Sequence, residues 1–229
     1  MSTTVVKDTG AWSYSALKNF ETCPRRYDAY DWSKTIPFVE TEQIVAGHHL
    51  HKHFENRLLW GTSLPIGYGM FEPMLAKVAA APGTLSGEAR LALTAGFAAS
   101  PYFGPQAWFR TVVDACVMKP DGATATVFDW KTGRHKDEET QLQLMALALF
   151  IHHPALERVR AALVFVNYDS VHRMEFARGD TTELWAEILP RVRALMAARA
   201  AGAFPPKPSG LCRKYCDVRS CEFHGRGGR

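Results

Sequence analysis

The sequence lacks the features of a membrane-bound or secreted protein. No apolar run reaches the length needed to span a bilayer, and the mean hydropathy of −0.16 suits a protein surrounded by water. The N-terminal stretch MSTTVVKDTG has no basic segment followed by an apolar one, as a secretory signal would have. We therefore predict a soluble protein without membrane contact, in the cytoplasm of its host cell.

Repeats, low-complexity linkers and a strong charge of either sign are also missing. The formal net charge is only +4 over 229 residues, which by itself is a weak indication of a polyanionic partner. Hydrophobic residues make up 47% of the chain, enough to bury the core of one large domain. The basic residues are concentrated at residues 23–27 and 212–229, and on charge alone these are ordinary solvated surface.

Cysteine is scarce, and its distribution is uneven. Of the five cysteines, Cys212, Cys216 and Cys221 fall within ten residues, after the turn-forming stretch FPPKPSG. Structural disulfides are not expected in a reducing cytoplasm, and a tail of this kind has little core in which to bury unligated thiols. The clustering therefore favours a metal centre, with either Zn²⁺ or an iron–sulfur cluster. Cys116, within a predicted strand, is interpreted as a core residue.

Helical and strand patterns alternate along the chain. Apolar residues recur at helical spacing from Glu42 to Trp60, and the turn sequence KPDG at residues 119–122 predicts a hairpin. These patterns predict a mixed α/β fold in which helices flank a sheet. The other predicted elements are strands at 89–95, 107–118, 123–130, 159–169 and 171–176, and helices at 13–23, 71–81, 139–152 and 182–201.

Two acids and a lysine stand at the open end of the predicted hairpin. Asp129 and Lys131 are two residues apart on a strand and therefore project from one face, and the turn places Asp114 opposite Asp129 to within a residue or two. Two converging carboxylates repel each other unless a cation joins them, and oxygen ligands select Mg²⁺ or Mn²⁺. Such an ion polarises a phosphoryl oxygen and activates water, while the lysine orients that water. The alternative is a surface Asp–Lys pair, which the second acid and a glutamine in the next helix disfavour.

The order of these motifs resembles that of the PD-(D/E)XK nuclease superfamily, and specifically its RecB-like branch, which includes CRISPR-associated RecB-like exonucleases and phage exonucleases. The resemblance implies a restriction-endonuclease-like core. It also implies a single RecB-like nuclease domain over residues 1–229, with N-terminal helices at 13–60, a catalytic sheet core at 85–178 and a cysteine-rich segment at 204–229. The matching segments are SYSALKNFETCPRRY, GHHLHKHFE, VVD, FDWKTG and QLQLMALAL.

The resemblance also implies roles for individual residues. Within GHHLHKHFE the spacing G-x-x-x-H from Gly47 points to His51 as a metal ligand. The other implied ligands are Asp114, Asp129 and the main-chain carbonyl of Trp130. Lys131 and Gln141 complete the implied catalytic set, in which Gln141 positions the lysine or the DNA backbone. Glu88, ahead of the first strand, is a minor candidate for a further carboxylate.

The resemblance also implies a fourth cysteine for the C-terminal group. Cys23 is expected to join Cys212, Cys216 and Cys221, so that four thiolates hold a [4Fe–4S] cluster and tie the two ends of the domain together. Zn²⁺ on the same four cysteines is the competing interpretation.

The implied activity is that of a divalent-metal-dependent deoxyribonuclease, an exonuclease more than an endonuclease. Its substrate would be single-stranded DNA or duplex ends in recombination or repair, with a recombination protein as a partner and a bacterial or phage origin. The alternative is a catalytically silent DNA-binding or scaffold protein of the same fold.

Overall fold

A computed structural model describes residues 10–134 and 138–226. Most of the N-terminal stretch in which no secretory signal is found, and the last three residues of the cysteine-rich segment, lie outside the described residues. The chain divides into two compact units. The first comprises Thr41–Leu184 with the residues up to Ala11, and the second comprises Trp12–Glu40 and Trp185–Arg229. The single domain inferred from the resemblance stays a prediction.

The predicted helices and strands appear in the predicted order with differences at their ends, and a two-residue strand and two short α-helices appear that were not predicted. In chain order the strands are β1 Thr84–Leu93, β2 Ala99–Ser100, β3 Phe109–Met118, β4 Thr124–Lys131, β5 Arg158–Phe165 and β6 Ser170–Ala177. The α-helices are α1 Tyr14–Thr22, α2 Pro24–Tyr27, α3 Glu42–Trp60, α4 Glu72–Ala79, α5 Glu139–His152, α6 Thr181–Ala201 and α7 Leu211–Lys214, with a π-helical turn at Asp28–Trp32 and 3-10 turns at Gly69–Phe71 and Arg178–Asp180.

One six-stranded sheet forms the centre of the first unit, in the order β2-β1-β3-β4-β5-β6. All neighbours are antiparallel except β4 and β5, which run parallel. Parallel neighbours need a crossover connection, and α5 lies in the segment that supplies it. The predicted mixed sheet with flanking helices is therefore confirmed, and it is consistent with a restriction-endonuclease-like core.

One part of the core of the first unit lies where α3 meets the sheet. Leu50, Phe54 and Leu58 are buried from this helix, and the Phe54 ring packs against Trp130 of β4 with 5.5 Å between centroids. α3 begins at the cap residue Thr41, whose hydroxyl accepts a hydrogen bond from the Ile44 N–H. These contacts fix the rotation of α3, and hence which of its histidines faces the sheet.

α5 differs from α3 because nine consecutive residues, from Leu142 to Phe150, are buried. A helix buried on every side has no polar stripe, which is why its sequence is almost entirely Leu, Met and Ala. Gln143 satisfies its amide inside this apolar segment by donating to the Leu184 carbonyl at 3.1 Å. Burial along its length therefore holds α5 in place, and Gln141 lies in its first turn.

The second unit joins residues from both ends of the chain. Arg191 of α6 donates two hydrogen bonds to the Glu21 carboxylate at 2.6 and 2.8 Å, and Arg199 Nε donates to the Tyr27 hydroxyl at 2.8 Å. Tyr30 in the π-helical turn donates to Asp217 at 2.9 Å. No helix within residues 10–134 and 138–226 has the length and apolar character that a membrane crossing requires.

Candidate active site

The two predicted acids meet where β3 and β4 part. The pairing of these strands runs from Met118↔Ala125 to Ala115↔Phe128, so the next opposed positions are those of Asp114 and Asp129. Asp114 Oδ2 accepts a hydrogen bond from the Trp130 main-chain N–H at 2.8 Å. This N–H therefore bonds to a side chain of β3, beyond the last main-chain pair of the two strands. The Asp114 carboxylate therefore lies in the fork between the strands.

Asp129, Lys131 and Gln141 form a closed triangle beside this fork. Lys131 Nζ donates to Gln141 Oε1 at 2.7 Å, and Gln141 Nε2 donates to Asp129 Oδ1 at 2.7 Å. Lys131 Nζ also lies 2.8 Å from Asp129 Oδ2. The Gln141 amide donates one hydrogen bond through its nitrogen and accepts another through its oxygen. Its orientation is therefore fixed by its two partners.

Glu138, which directly precedes α5, adds a residue that was not identified from the sequence. Its Oε2 lies 3.2 Å from Lys131 Nζ, and its side chain is 13% exposed. The only signal was its place in the charged run KDEE between strand and helix, a context in which acids are usually solvated. Lys131 thus has carboxylates on two sides and an amide oxygen as a third neighbour.

His51 reaches the fork from α3. Its Nδ1 lies 3.3 Å from Asp114 Oδ2, and the ring is also hydrogen-bonded to the main chain of Trp130. Burial lowers the pKa of His51, but Asp114 outweighs that effect, so its pKa is raised overall. The structure therefore brings the predicted ligands His51, Asp114 and Trp130 to one place, and Asp129 contributes to the charge around the imidazole.

The electrostatics of this site favour a cation. Burial raises the pKa of Asp129; Lys131 opposes this effect and the negative charge of Asp114 adds to it, giving a pKa of about 6. Asp129 Oδ2 is buried and lies 2.8 Å from Lys131 Nζ. A buried carboxylate beside a second carboxylate offers the oxygen ligands that a hard divalent ion prefers.

The described residues do not form a ready-made metal site. Across residues 10–134 and 138–226, no group of three or more His, Cys, Asp or Glu side chains is arranged to hold a metal ion. The donor chemistry of the fork, two carboxylates and an imidazole, fits Mg²⁺ or Mn²⁺.

An open groove of about 390 Å³ lies beside His51. Glu88 lines it from β1, at the position that the register places opposite Asp114, between the pairs Gly87↔Ala115 and Ala89↔Val113. Its backbone is left-handed, with φ of +47°, which interrupts the pairing of β1 and β3 there. The groove is lined by His48, His51, Lys52, Glu55, Glu88 and Arg90.

The four predicted cluster cysteines lie together in the second unit. Cys23, Cys212, Cys216 and Cys221 all line one small cavity, and none is in a disulfide. The Lys207 N–H donates to Cys23 Sγ, and the Ser209 N–H donates to Cys212 Sγ, both at 3.4 Å. The structure thus places these thiols around one space without showing a cluster in it.

Cys116 is separate from this group. It lies on β3 in the first unit and is 4% exposed. Burial raises the pKa of its thiol to about 11, which disfavours the thiolate that a metal would need. Its predicted role as a core residue agrees with its burial.

Comparison with known proteins supports this geometry. Residues 69–221 match the family model described as PD-(D/E)XK nuclease superfamily, a range that includes Asp114, Asp129, Lys131 and Gln141. No curated protein gives a significant match to the sequence.

Two solved structures share the fold at low sequence identity. A candidate exonuclease from Eubacterium rectale is 12% identical, with a TM-score of 0.52, covering 93% of this chain and 91% of its own. The protein SSO0001 is 16% identical, with a TM-score of 0.51, covering 95% of this chain and 88% of its own. Since the family model spans more than half of the 229 residues, the chain belongs to the PD-(D/E)XK nuclease superfamily.

Proposed function

We propose that the protein is a divalent-metal-dependent deoxyribonuclease, and an exonuclease more than an endonuclease. The observation that carries the proposal is the fork between β3 and β4, where Asp114 and Asp129 lie beside a lysine held by Gln141. Membership of the nuclease superfamily and the likeness to a candidate exonuclease support it. A role in DNA recombination or repair, and a RecB-like branch of phage or bacterial origin, are further parts of the proposal that rest on the motif resemblance.

Four groups would hold Mg²⁺ or Mn²⁺: the side chains of Asp114, Asp129 and His51 and the main-chain carbonyl of Trp130. Bound there, the ion supplies a Lewis acid for the phosphodiester and lowers the pKa of its water. The four groups come from β3, β4 and α3, so a single ion would link three elements of the first unit.

Lys131 supplies the cationic group of the reaction. Burial lowers the pKa of Lys131, but Asp129 and Glu138 raise it by more, so its pKa is raised overall. The side chain is therefore in the ammonium form at neutral pH. A protonated amine with three N–H groups both orients an attacking water and offsets negative charge on the phosphate. Gln141 keeps the amine at the fork instead of in solvent, because it bonds Lys131 and Asp129 at once.

The test is digestion of end-labelled single-stranded and duplex DNA with Mn²⁺ or Mg²⁺. We expect the wild type to release mononucleotides or short products from the ends, and Asp129→Asn to be at least about 100-fold slower. Asp121→Asn is the matched control, because Asp121 lies in the turn of the same hairpin and its side chain caps Ala123 and Thr124 at the far end.

Three results would contradict this proposal. Equal rates for the wild type and Asp129→Asn would remove the acid site from the reaction. Products cut first at internal positions would replace the exonuclease with an endonuclease. DNA binding by the wild type without cleavage under either metal would favour the catalytically silent scaffold.

We further propose that Cys23, Cys212, Cys216 and Cys221 bind one structural metal centre, a [4Fe–4S] cluster or, alternatively, Zn²⁺. The shared cavity and the two N–H···S contacts support it, since thiolates select soft or borderline metals. Protein purified without oxygen should be brown, with absorbance near ~400 nm for a cluster, or colourless with one zinc per chain. Absence of both metals would overturn the proposal.

A further inference from the structure

Two arginines and two aromatic rings form a patch beside strands β1 and β3, in which Arg90 and Phe103 are exposed and Tyr102 and Arg110 are half-buried. The rings of Tyr102 and Phe103 meet edge to face, with 5.0 Å between centroids. The Arg110 guanidinium lies 5.5 Å from the Tyr102 centroid and 5.7 Å from that of Phe103, and the Arg90 guanidinium lies 5.9 Å from both. We refer to these four residues as the arginine–aromatic patch.

Strand register connects this patch with the acid site. Ala92 pairs with Arg110, and Arg90 pairs with Val112. Arg110 and Val112 are both an even number of residues from Asp114 on β3, so Arg110, and Arg90 opposite Val112, share the parity of Asp114. Side chains of equal parity in paired strands project from one face of a sheet. At about 3.4 Å per residue, Arg110 is roughly 14 Å along β3 from Asp114.

The groove beside His51 continues towards the same patch. Arg90 lines this groove together with His51 and Glu88, and it also packs against the rings of Tyr102 and Phe103. One guanidinium therefore borders both features. A chain lying in the groove would reach the aromatic rings without leaving the protein surface.

The chemistry of the patch identifies the class of ligand. Phe103 is 60% exposed, so much of its apolar side chain remains in water beside two cations. Guanidinium groups bind phosphates, and aromatic faces stack on bases of any sequence. Duplex DNA offers only base edges in its grooves, so a ring face of this kind suits unpaired nucleotides.

We propose that the arginine–aromatic patch binds unpaired nucleotides of the DNA strand that enters the acid site. Phe103 stacks on a base, and Arg90 and Arg110 contact the flanking phosphates. The placement of this strand rests on the proposed nuclease function, but the binding itself requires no cleavage and is measured separately.

The experiment measures binding of fluorescently labelled oligonucleotides by anisotropy in EDTA, where no divalent metal supports hydrolysis. The probes are an oligothymidine, an abasic deoxyribose phosphate chain of equal length and a blunt duplex. Phe103→Ala should bind oligothymidine about tenfold more weakly than the wild type, with the abasic chain and the duplex unchanged. Phe103→Leu, which keeps an apolar contact but no ring face, should show the same loss.

Arg90→Gln provides the second arm. Because it removes a phosphate contact and leaves the rings, it should weaken binding of oligothymidine and of the abasic chain alike, and should reduce the slope of log affinity against log salt by about one. Trp60→Ala is the control for loss of an exposed ring, since Trp60 is 76% exposed at the last residue of α3, nine residues beyond His51.

The outcomes separate this inference from the nuclease proposal. If folded Phe103→Ala and Phe103→Leu bind oligothymidine as tightly as the wild type, the patch is not a base-stacking site, whatever the cleavage assay shows. If the wild type fails to cleave but Phe103→Ala loses oligothymidine binding, the patch stands and the nuclease proposal falls. When both hold, Phe103→Ala should raise KM for single-stranded DNA about tenfold at unchanged kcat.

Discussion

The acid fork of the first unit and the cysteine cavity of the second are built by different means. The fork takes its residues from β3, β4, α3 and the first turn of α5, and its groups are joined by ion pairs and hydrogen bonds of 2.7 to 3.3 Å. The cavity takes its cysteines from the end of α1 and from the short helices and turns near the C-terminus, with main-chain N–H groups on two of its sulfurs.

This difference indicates what a metal would do in each place. At the fork Lys131 offsets the buried charge of Asp129, so this carboxylate has a cationic partner whether or not a metal binds. Three of the four cysteines lie in a C-terminal segment with little regular structure, and a metal bound there would contribute directly to folding. We therefore expect changes at the fork to act mainly on catalysis and changes at the cavity to act mainly on stability.

The largest expected effect is that of Lys131→Met. Loss of the ammonium group should lower kcat at least about 100-fold, because charge on the phosphate is no longer offset. It also leaves the buried Asp129 carboxylate without its cationic partner, so the melting temperature should fall as well. Lys214→Met, which removes an exposed lysine of α7 near the cysteines, is the matched control in the same Mn²⁺-dependent assay. A similar loss in both variants would place the cation requirement outside the fork.

Cys216→Ser should act the other way round. Losing one of four thiolates should abolish stoichiometric iron or zinc, measured by elemental analysis, and lower the melting temperature by roughly 5–10 °C, with a smaller effect on kcat than Lys131→Met. Cys116→Ala leaves the cavity intact and should keep the metal content. Metal retained in full by Cys216→Ser would separate this cysteine from the centre.

The buried charge of Asp129 predicts a pH dependence of stability in EDTA. Its pKa is raised from an ordinary value of 3.8 to about 6, so the folded state binds the proton more tightly than the unfolded state. The resulting stabilisation is complete below about pH 4 and is lost as pH rises through about 6, an effect of roughly 1–3 kcal/mol. Asp129→Asn should lack this component in urea unfolding measured from pH 4 to 7. An unchanged pH profile in the variant would assign the effect to other groups.

Glu138→Gln has the smallest expected effect. The variant keeps the shape of the side chain but removes one of the two carboxylates next to Lys131, so the lysine should be less well positioned. We expect kcat to fall about fivefold to tenfold with KM unchanged. Glu139→Gln changes the neighbouring acid, whose carboxylate lies 3.3 Å from His172 instead of Lys131, and should leave kcat near the wild-type value.

Element ends were predictable where the sequence marks them with local chemistry. α3 begins at the Thr41 cap and ends before Gly61, which adopts a left-handed φ of +65°, and both bounds follow from the sequence. β1 begins at Thr84, five residues before the predicted start, because pairing with β3 outweighs the low strand propensity of Ser86 and Gly87. The helix predicted over 71–81 is confined to Glu72–Ala79, continuing from a 3-10 turn.

Some residues of the candidate site were also predictable from the sequence, and others were not. The spacing of Asp129 and Lys131 was sufficient to place both at the end of one strand. Glu138 was missed because an acid in a charged loop has no periodicity, and only the path of the chain into α5 brings it to Lys131. The arginine–aromatic patch was missed because its arginines and rings come from separate strands and the segment between them.

The sequence by itself determined the hydrophobic periodicity, the hairpin, the order of the motifs and the residue types available for chemistry, since these depend on neighbours along the chain. The tertiary structure decided the contacts: Asp114 accepts the Trp130 N–H where the strands part, the Gln141 amide joins Lys131 to Asp129, and Glu138 is brought to Lys131. Those outcomes depend on strand register and helix packing, which join residues far apart in the chain through contacts that no local pattern encodes.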